Sequence, residues 1–269
     1  MKLSVTAWSF PACNLNECAS ISIALGINAL DVGLHYRSGL NRDEILSDPL
    51  TAAAKIRALI ITVPNYYHQF GDGIVAQNLS LPGALDQNTR DIEQVLRFAD
   101  AAEIASVFIL PGVINPGQSR DQAAAQSAVA IKELLQVARH HKAKLCVEPH
   151  VQSWAESPAL VERLIDQTGI GLALDYSHFT CLGYRQDEID PLAKYACHVH
   201  LRQAKMGHLQ AKFAQGTLNF PAMFATLRDA GYQGHLALEA VHQDYMNTLT
   251  EDVLTETILM RDCFQNWKG

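Results

Sequence analysis

The chain lacks any basic run: 21 Lys and Arg stand against 28 Asp and Glu in 269 residues, a formal net charge of −7. A phosphate backbone would find no electrostatic footprint on such a chain, so nucleic acid is not expected as a partner. No apolar stretch approaches the ~18 residues of a membrane span, and no membrane association is expected. The six cysteines contain no Cys-x-x-Cys pair and lie mostly in apolar or helical contexts. That is the usage of reduced thiols in a cytosol, not of a disulfide framework. The opening MKLSVTAWSFPAC carries one lysine, but Ser4, Thr6 and Ser9 break its apolar run. It is expected to form a first strand rather than a secretion signal, which places the protein in the cytoplasm. Linkers, charge blocks and low-complexity segments are also missing. Residues 1–269 are therefore expected to form a single domain.

What is present is alternation. Hydrophobic residues make up 48% of the chain and charged residues 18%, ordinary for a packed globular protein. Short β-branched apolar runs alternate with longer stretches of helical period from end to end. Strands are expected at residues 3–8, 28–34, 58–64, 106–112, 143–149, 171–175, 197–202 and 235–240. Helices are expected at 88–104, 122–141, 157–168, 220–230 and 248–267, with shorter ones near 41–55 and 187–195. The stretch 65–85 holds Gly71, Gly73, Pro82 and Gly83 with little periodicity and is expected to be a long loop. Eight parallel strands with crossover helices close into a (β/α)8 TIM barrel more readily than into an open sheet.

The last four strands are apolar until their C-terminal ends, where Glu148, Asp175, His200 and Glu239 stand in LCVEPH, LALDYSH, HVHLRQ and LALEAVH. In a barrel those ends converge on one mouth, where barrel enzymes keep their active sites. One carboxylate at a strand end is as readily a helix cap or an ion-pair partner on the rim. Three together with no compensating cation would repel one another, so their coexistence points to a divalent ion among them. His178, three residues after Asp175, reaches the same mouth from its loop. This oxygen-rich set favours Mn²⁺, is compatible with Mg²⁺, Co²⁺ or Zn²⁺, and is too rich in oxygen for a structural zinc site. Of the two histidines in CHVHLRQ, which share a strand face, His200 lies nearer the mouth by ~6.6 Å and is the expected ligand. His198 is expected one layer below, as a core histidine or a support for the site.

With these motifs in order, the chain resembles the xylose isomerase-like barrel superfamily of sugar and sugar-phosphate isomerases and epimerases. CVEPH, LALDYSH, HVHLRQA, QGTLNFPAMFATLRDAGYQG and HLALE carry the resemblance, with weaker echoes in ALGINALDVG and TRDIEQVLRFADAAEIASVFILPG. It implies one divalent metal held by Glu148, Asp175, His200 and Glu239, a small carbohydrate substrate, and a homo-oligomer, dimer or tetramer. It also makes His178 a residue that binds substrate or lies beside the metal. Arg202 would hold a substrate oxyanion or phosphate, and His150 and His242 are further candidates. One departure stands out: relatives continue the histidine motif as His-x-Lys-Asp or His-x-Asn-Asp, whereas this chain reads His200-Leu-Arg-Gln203. The change removes an acidic group beside Arg202 and favours a more negatively charged substrate or a reaction other than simple epimerisation.

Such a site supports proton abstraction next to a carbonyl, with Glu148 and Glu239 as the acid/base pair and Asp175 and His200 as the more structural ligands. A decarboxylase, dehydratase or other lyase acting on an oxidised sugar acid would use the same ligands and is the main alternative. An apurinic endonuclease of the same superfamily would need a basic face and an extra Asp-x-His pair between His200 and Glu239, and neither is found. A non-catalytic sugar-binding barrel would not need the full ligand set. The pocket wall is expected from Trp8, His35, Tyr66, Tyr67, His68, Phe70 and Trp154, with His68 and Trp8 as substrate contacts. No glycine-rich phosphate cradle follows the seventh or eighth strand, which favours a free sugar or sugar acid.

Overall fold

The computed structural model describes residues 1–34, 37–250 and 252–267. His35, one of the expected pocket residues, lies outside the described residues. Among the described residues, eight parallel strands close into a barrel in the order β1 to β8. They are β1 Lys2–Thr6, β2 Leu30–Gly33, β3 Asn65–Tyr67, β4 Ser106–Ile109, β5 Lys144–Val147, β6 Gly171–Asp175, β7 Ala196–Leu201 and β8 His235–Leu238. β1 closes the ring on β8 through the pairs Lys2 with His235 and Val5 with Leu238. The architecture is a (β/α)8 barrel, as the alternation predicts. No helix among the described residues is long and apolar enough to cross a membrane.

The crossover helices start where capping residues stop the chain from remaining extended. Ser119 and Gln122 form a reciprocal capping box at Arg120–Ala138, and Ser157 caps Pro158–Thr168, which ends on Gly169 in the left-handed conformation. Their apolar faces pack on the outward side chains of the strands, so Val32, Val107, Leu145 and Leu172 sit in one contiguous core. The inward face differs. Ser4, Asp31, Asn65, Ser106 and His198 are all buried polar residues on the strands, and Ser106 and Asn65 bond at 2.8 Å.

One expected strand is displaced. The run at 58–64 is not β3: Ile60 is 78% exposed and only Thr62 makes a bridge, to Ala29. The strand begins after Pro64, inside the stretch expected to be loop, and pairs with β2 and β4 from Asn65 to Tyr67. A proline donates nothing to a ladder and suits a strand's entrance as well as its end. Here it marks the entrance.

The long segment after β3 is held to the barrel at a glycine-dependent point. Gly112 takes a φ of +95°, and a Cβ there would lie 2.5 Å from Ser80 Oγ and 2.8 Å from Ser80 N. Gly112→Ala is expected to lower stability by about 2 kcal/mol or more, from the strained backbone and the clash together. Denaturant unfolding checks this, and an unchanged midpoint would contradict it.

Candidate active site

The four expected ligands come together. Asp175 ends β6 and His200 is the penultimate residue of β7. Glu148 and Glu239 lie one residue beyond β5 and β8, their backbone N–H groups still donating to Ile109 and Leu201 at 2.9 Å. Each residue offers a ligand atom, and these atoms all lie within 4.8 Å of one another. All four are buried, and Glu239 Oε2 and His200 Nε2 have no hydrogen-bond partner. Orphaned buried polar atoms cost stability unless something else engages them. The donor set fits a divalent cation: three carboxylates against the Arg202 guanidinium leave two negative charges once His200 is neutral.

Compensating cations are nonetheless present, contrary to the expectation of none. Arg202 Nη2 donates to Asp175 Oδ2 at 2.7 Å and lies 3.6 Å from Glu239 Oε2, while its Nε donates to Ser177 Oγ at 3.2 Å. Arg202 is therefore not short of a negative neighbour. His200 Nδ1 lies 2.6 Å from Glu148 Oε1 and 3.6 Å from Glu239 Oε2. Burial alone would lower the His200 pKa, but Glu148 and Glu239 outweigh it and push it up to about 10. Burial would raise Asp175, yet Arg202 and His178 hold it down at about 2. For Glu148 burial prevails over the attraction of His200, helped by repulsion from Glu239 and Asp175, and its pKa is raised.

Above the ligands opens a cavity of about 480 Å³. Trp8, Tyr67, Phe108 and Leu110 form an apolar wall, and Glu148, His150, His178, Arg202 and Glu239 the polar one. Trp8 follows β1 and donates from Nε1 to Glu239 Oε1 at 2.8 Å, which leaves Oε2 turned elsewhere. His150 and His178 are both buried, and burial lowers the pKa of each.

Other expected pocket residues stand apart. Strand parity turns Tyr67 into the cavity and Tyr66 and His68 outward, where Tyr66 packs on Phe98. His68 lies against Phe70, ring centroids 4.8 Å apart, and both line a separate void of about 20 Å³. Burial lowers its pKa to about 3, so it is neutral. Trp154 is 1% exposed and donates to Pro111 O at 2.8 Å, packing loop on barrel. His242 is exposed and bonds Thr250 O. Gln203 points away from the mouth: its amide brackets Leu218, donating to its carbonyl at 3.0 Å and accepting from its N–H at 2.9 Å.

Asp31 of β2 went unrecognised in the sequence. It is fully buried, with its Oδ2 2.5 Å from His198 Nε2, and Asp31, His198 and His200 each offer an atom within 4.8 Å of the others. Burial would raise the Asp31 pKa, but attraction to His198 and then His200 holds it below the ordinary carboxylate value. The available signal was an acid inside ALDVGL, on the parity opposite Leu30 and Val32, and hence facing the barrel axis. His198 sits one layer below the mouth, as expected, bound to this carboxylate. Asp31→Asn is expected to weaken metal binding about 10- to 100-fold by removing the charge beneath His200. Titration with Mn²⁺ followed by calorimetry checks this, and unchanged affinity would remove Asp31 from the site.

The fold and this cluster define a barrel with a candidate divalent metal centre at its C-terminal mouth. The model of the xylose isomerase-like TIM barrel matches residues 24–260, and the chain belongs to that family. It is 25% identical over 178 residues to 2-oxo-tetronate isomerase of Pectobacterium atrosepticum, a match covering 60% of this chain and 63% of that protein. Among solved structures it superposes on the IolI protein with a bound zinc atom with a TM-score of 0.75, at 16% identity over 100% of both chains. It also superposes on 3-keto-D-glucoside 4-epimerase YcjR of E. coli with a TM-score of 0.72, at 15% identity over 98% of this chain and 99% of the other.

Proposed function

We propose that the protein is a divalent-metal-dependent isomerase or epimerase of a sugar or sugar acid, with Mn²⁺ the favoured ion. The observation that carries the reading is the convergence of Glu148, Asp175, His200 and Glu239 within 4.8 Å, beneath a cavity that also presents Arg202 and two neutral histidines. Bound among these residues, the cation supplies Lewis-acid polarisation of a carbonyl beside a hydroxyl-bearing carbon. The protein's own part is proton movement. Trp8 holds Glu239 in place through Oε1, orienting the carboxylate that takes the carbon-bound proton. Glu148 holds or returns a proton from the other side. The apolar wall of Trp8, Tyr67 and Phe108 keeps bulk water from the intermediate.

The likeness to a 2-oxo-tetronate isomerase supports a short oxidised sugar acid as substrate, with Arg202 as the group nearest its negative charge. The test is a screen of ketoses, their phosphates and oxo-sugar acids with Mn²⁺-loaded protein in D₂O, read by NMR and mass spectrometry. Conversion with deuterium incorporated at the reacting carbon and no loss of mass is expected. Loss of CO₂ or water would overturn the reading in favour of a lyase, and no conversion of any compound would overturn it outright.

A further inference from the structure

We propose that His150 and His178 form a matched acceptor and donor that read a free hydroxyl of the substrate and exclude a phosphate or carboxylate from that position. The inference rests on the sugar-isomerase reading of the site. Its basis is the single residue that stands between the two rings, Val151. The Val151 carbonyl oxygen can only accept, so the 2.6 Å contact from His150 Nδ1 places that ring's proton on Nδ1. Its Nε2 then carries a lone pair, and this buried atom has no partner in the protein. The Val151 N–H can only donate, and it does so to His178 Nδ1 at 3.2 Å. His178 therefore carries its proton on Nε2. The backbone N–H and C=O of one residue fix the tautomers of two histidines in opposite senses.

Both rings line the cavity, with centroids 6.1 Å apart and planes at 70°. The turn that presents His150 is braced. Ser153 Oγ donates to the His150 carbonyl at 2.6 Å, Tyr245 Oη donates to the Val151 carbonyl at 3.3 Å, and Gln152 takes a φ of +68°. Arg202 Nη2 donates to Asp175 Oδ2 at 2.7 Å and lies 3.4 Å from His178 Nε2, and that same Asp175 oxygen lies 3.6 Å from His178 Nε2, so the ring nitrogen faces the carboxylate as well as the cavity. A hydroxyl can donate to His150 Nε2 and accept from His178 Nε2–H with one oxygen. A carboxylate or phosphate oxygen only accepts and would meet the His150 lone pair with another lone pair. A substrate lacking the hydroxyl would leave the buried His150 Nε2 unpaired.

The test uses Mn²⁺-loaded full-length protein and two matched series: 2-oxo-tetronate, its 4-deoxy counterpart and its 4-phosphate, and D-fructose, 6-deoxy-D-fructose and D-fructose 6-phosphate. Dissociation constants are measured by calorimetry for wild type, His150→Phe and His150→Gln. Wild type is expected to favour the hydroxyl compound of at least one series over its deoxy and phosphorylated partners by about 10- to 100-fold. His150→Phe is expected to bind hydroxyl and deoxy forms alike with Mn²⁺ affinity unchanged, and His150→Gln, which restores an acceptor, to recover part of the preference. A wild type indifferent to the hydroxyl overturns the inference without any variant, and so does a preference that survives in His150→Phe. Binding of no compound to the Mn²⁺-loaded wild type overturns the underlying reading, and this inference with it.

Discussion

Asp175→Asn is expected to lose stoichiometric Mn²⁺, with affinity falling at least ~100-fold, more than for a residue that only supports a ligand, and turnover falling with it. The substitution is chosen for what it keeps. Asp175 Oδ1 accepts from Ser177 N at 2.8 Å, and an asparagine oxygen retains that cap. Asp175→Ala would lose it and leave the buried Arg202 guanidinium short of its 2.7 Å partner, a loss of the kind that costs about 3–5 kcal/mol and confuses unfolding with metal loss. Asparagine keeps the cap but sets its amide nitrogen against Arg202 Nη2, where Oδ2 accepted at 2.7 Å, so denaturant unfolding is measured beside metal content to separate the two losses. Metal content after dialysis and calorimetric titration read the result, and full occupancy in the variant would exclude Asp175 as a ligand.

The same centre predicts how metal binding responds to pH. In the metal-free protein the His200 proton is retained up to about 10 by Glu148 and Glu239, whereas a histidine that ligates a metal must be neutral. Mn²⁺ should therefore displace about one proton at pH 7, and its affinity should rise with pH until His200 titrates by itself. The stability of the metal-free protein runs the other way. A pKa raised from 6.5 to about 10 gives stabilisation fully present below pH 6.5 and lost as pH climbs to about 10. Thermal unfolding with and without Mn²⁺ should diverge across that window, and parallel curves would contradict the assignment of His200.

How much of this was legible in the sequence follows from which distances each feature depends on. The strand ends at Glu148, Asp175, His200 and Glu239 were legible because each closes a short run that is apolar apart from His198, and the barrel brings such ends together whatever the loops do. β3 was misplaced because ALIITVP is apolar enough for a strand, while the actual strand Asn65–Tyr67 has its inward positions filled by Asn65 and Tyr67. Polar residues on the barrel's inner face look like loop. Asp31 was missed for the same reason. A carboxylate is expected at a strand's end, and one in its middle becomes intelligible only with His198 beside it, 167 residues later in the chain. His68 and Trp154 were assigned to the pocket by residue type, and only strand parity and the loop path assign them to packing. Gln203 marks the departure from the relatives' pattern, yet it brackets a loop; Arg202 beside it, already paired with Asp175, is the residue that reaches the site.

Glu148→Gln and Glu239→Gln should each lower turnover by ~10²- to 10⁴-fold at saturating Mn²⁺, the usual contribution of a positioned acid or base. Both variants preserve the existing hydrogen bonds. A glutamine at 239 still offers an oxygen to Trp8 Nε1, which lies 2.8 Å from Oε1, and one at 148 still offers an oxygen to His200 Nδ1, 2.6 Å away. What disappears is the capacity to take a proton. At 239 the amide nitrogen would replace Oε2, 3.6 Å from Arg202 Nη2, so two donors face each other where a base stood. Each variant also removes one anionic ligand, which is why the comparison is made at saturating metal. Carboxylates serving opposite faces of the substrate carbon would leave each variant able to exchange that carbon's proton with D₂O from only one of the two interconverting sugars. Near wild-type turnover in either variant would remove that residue from the acid/base pair. Equal loss of exchange in both directions for both variants would show one carboxylate at work with a relayed proton instead of two opposed ones.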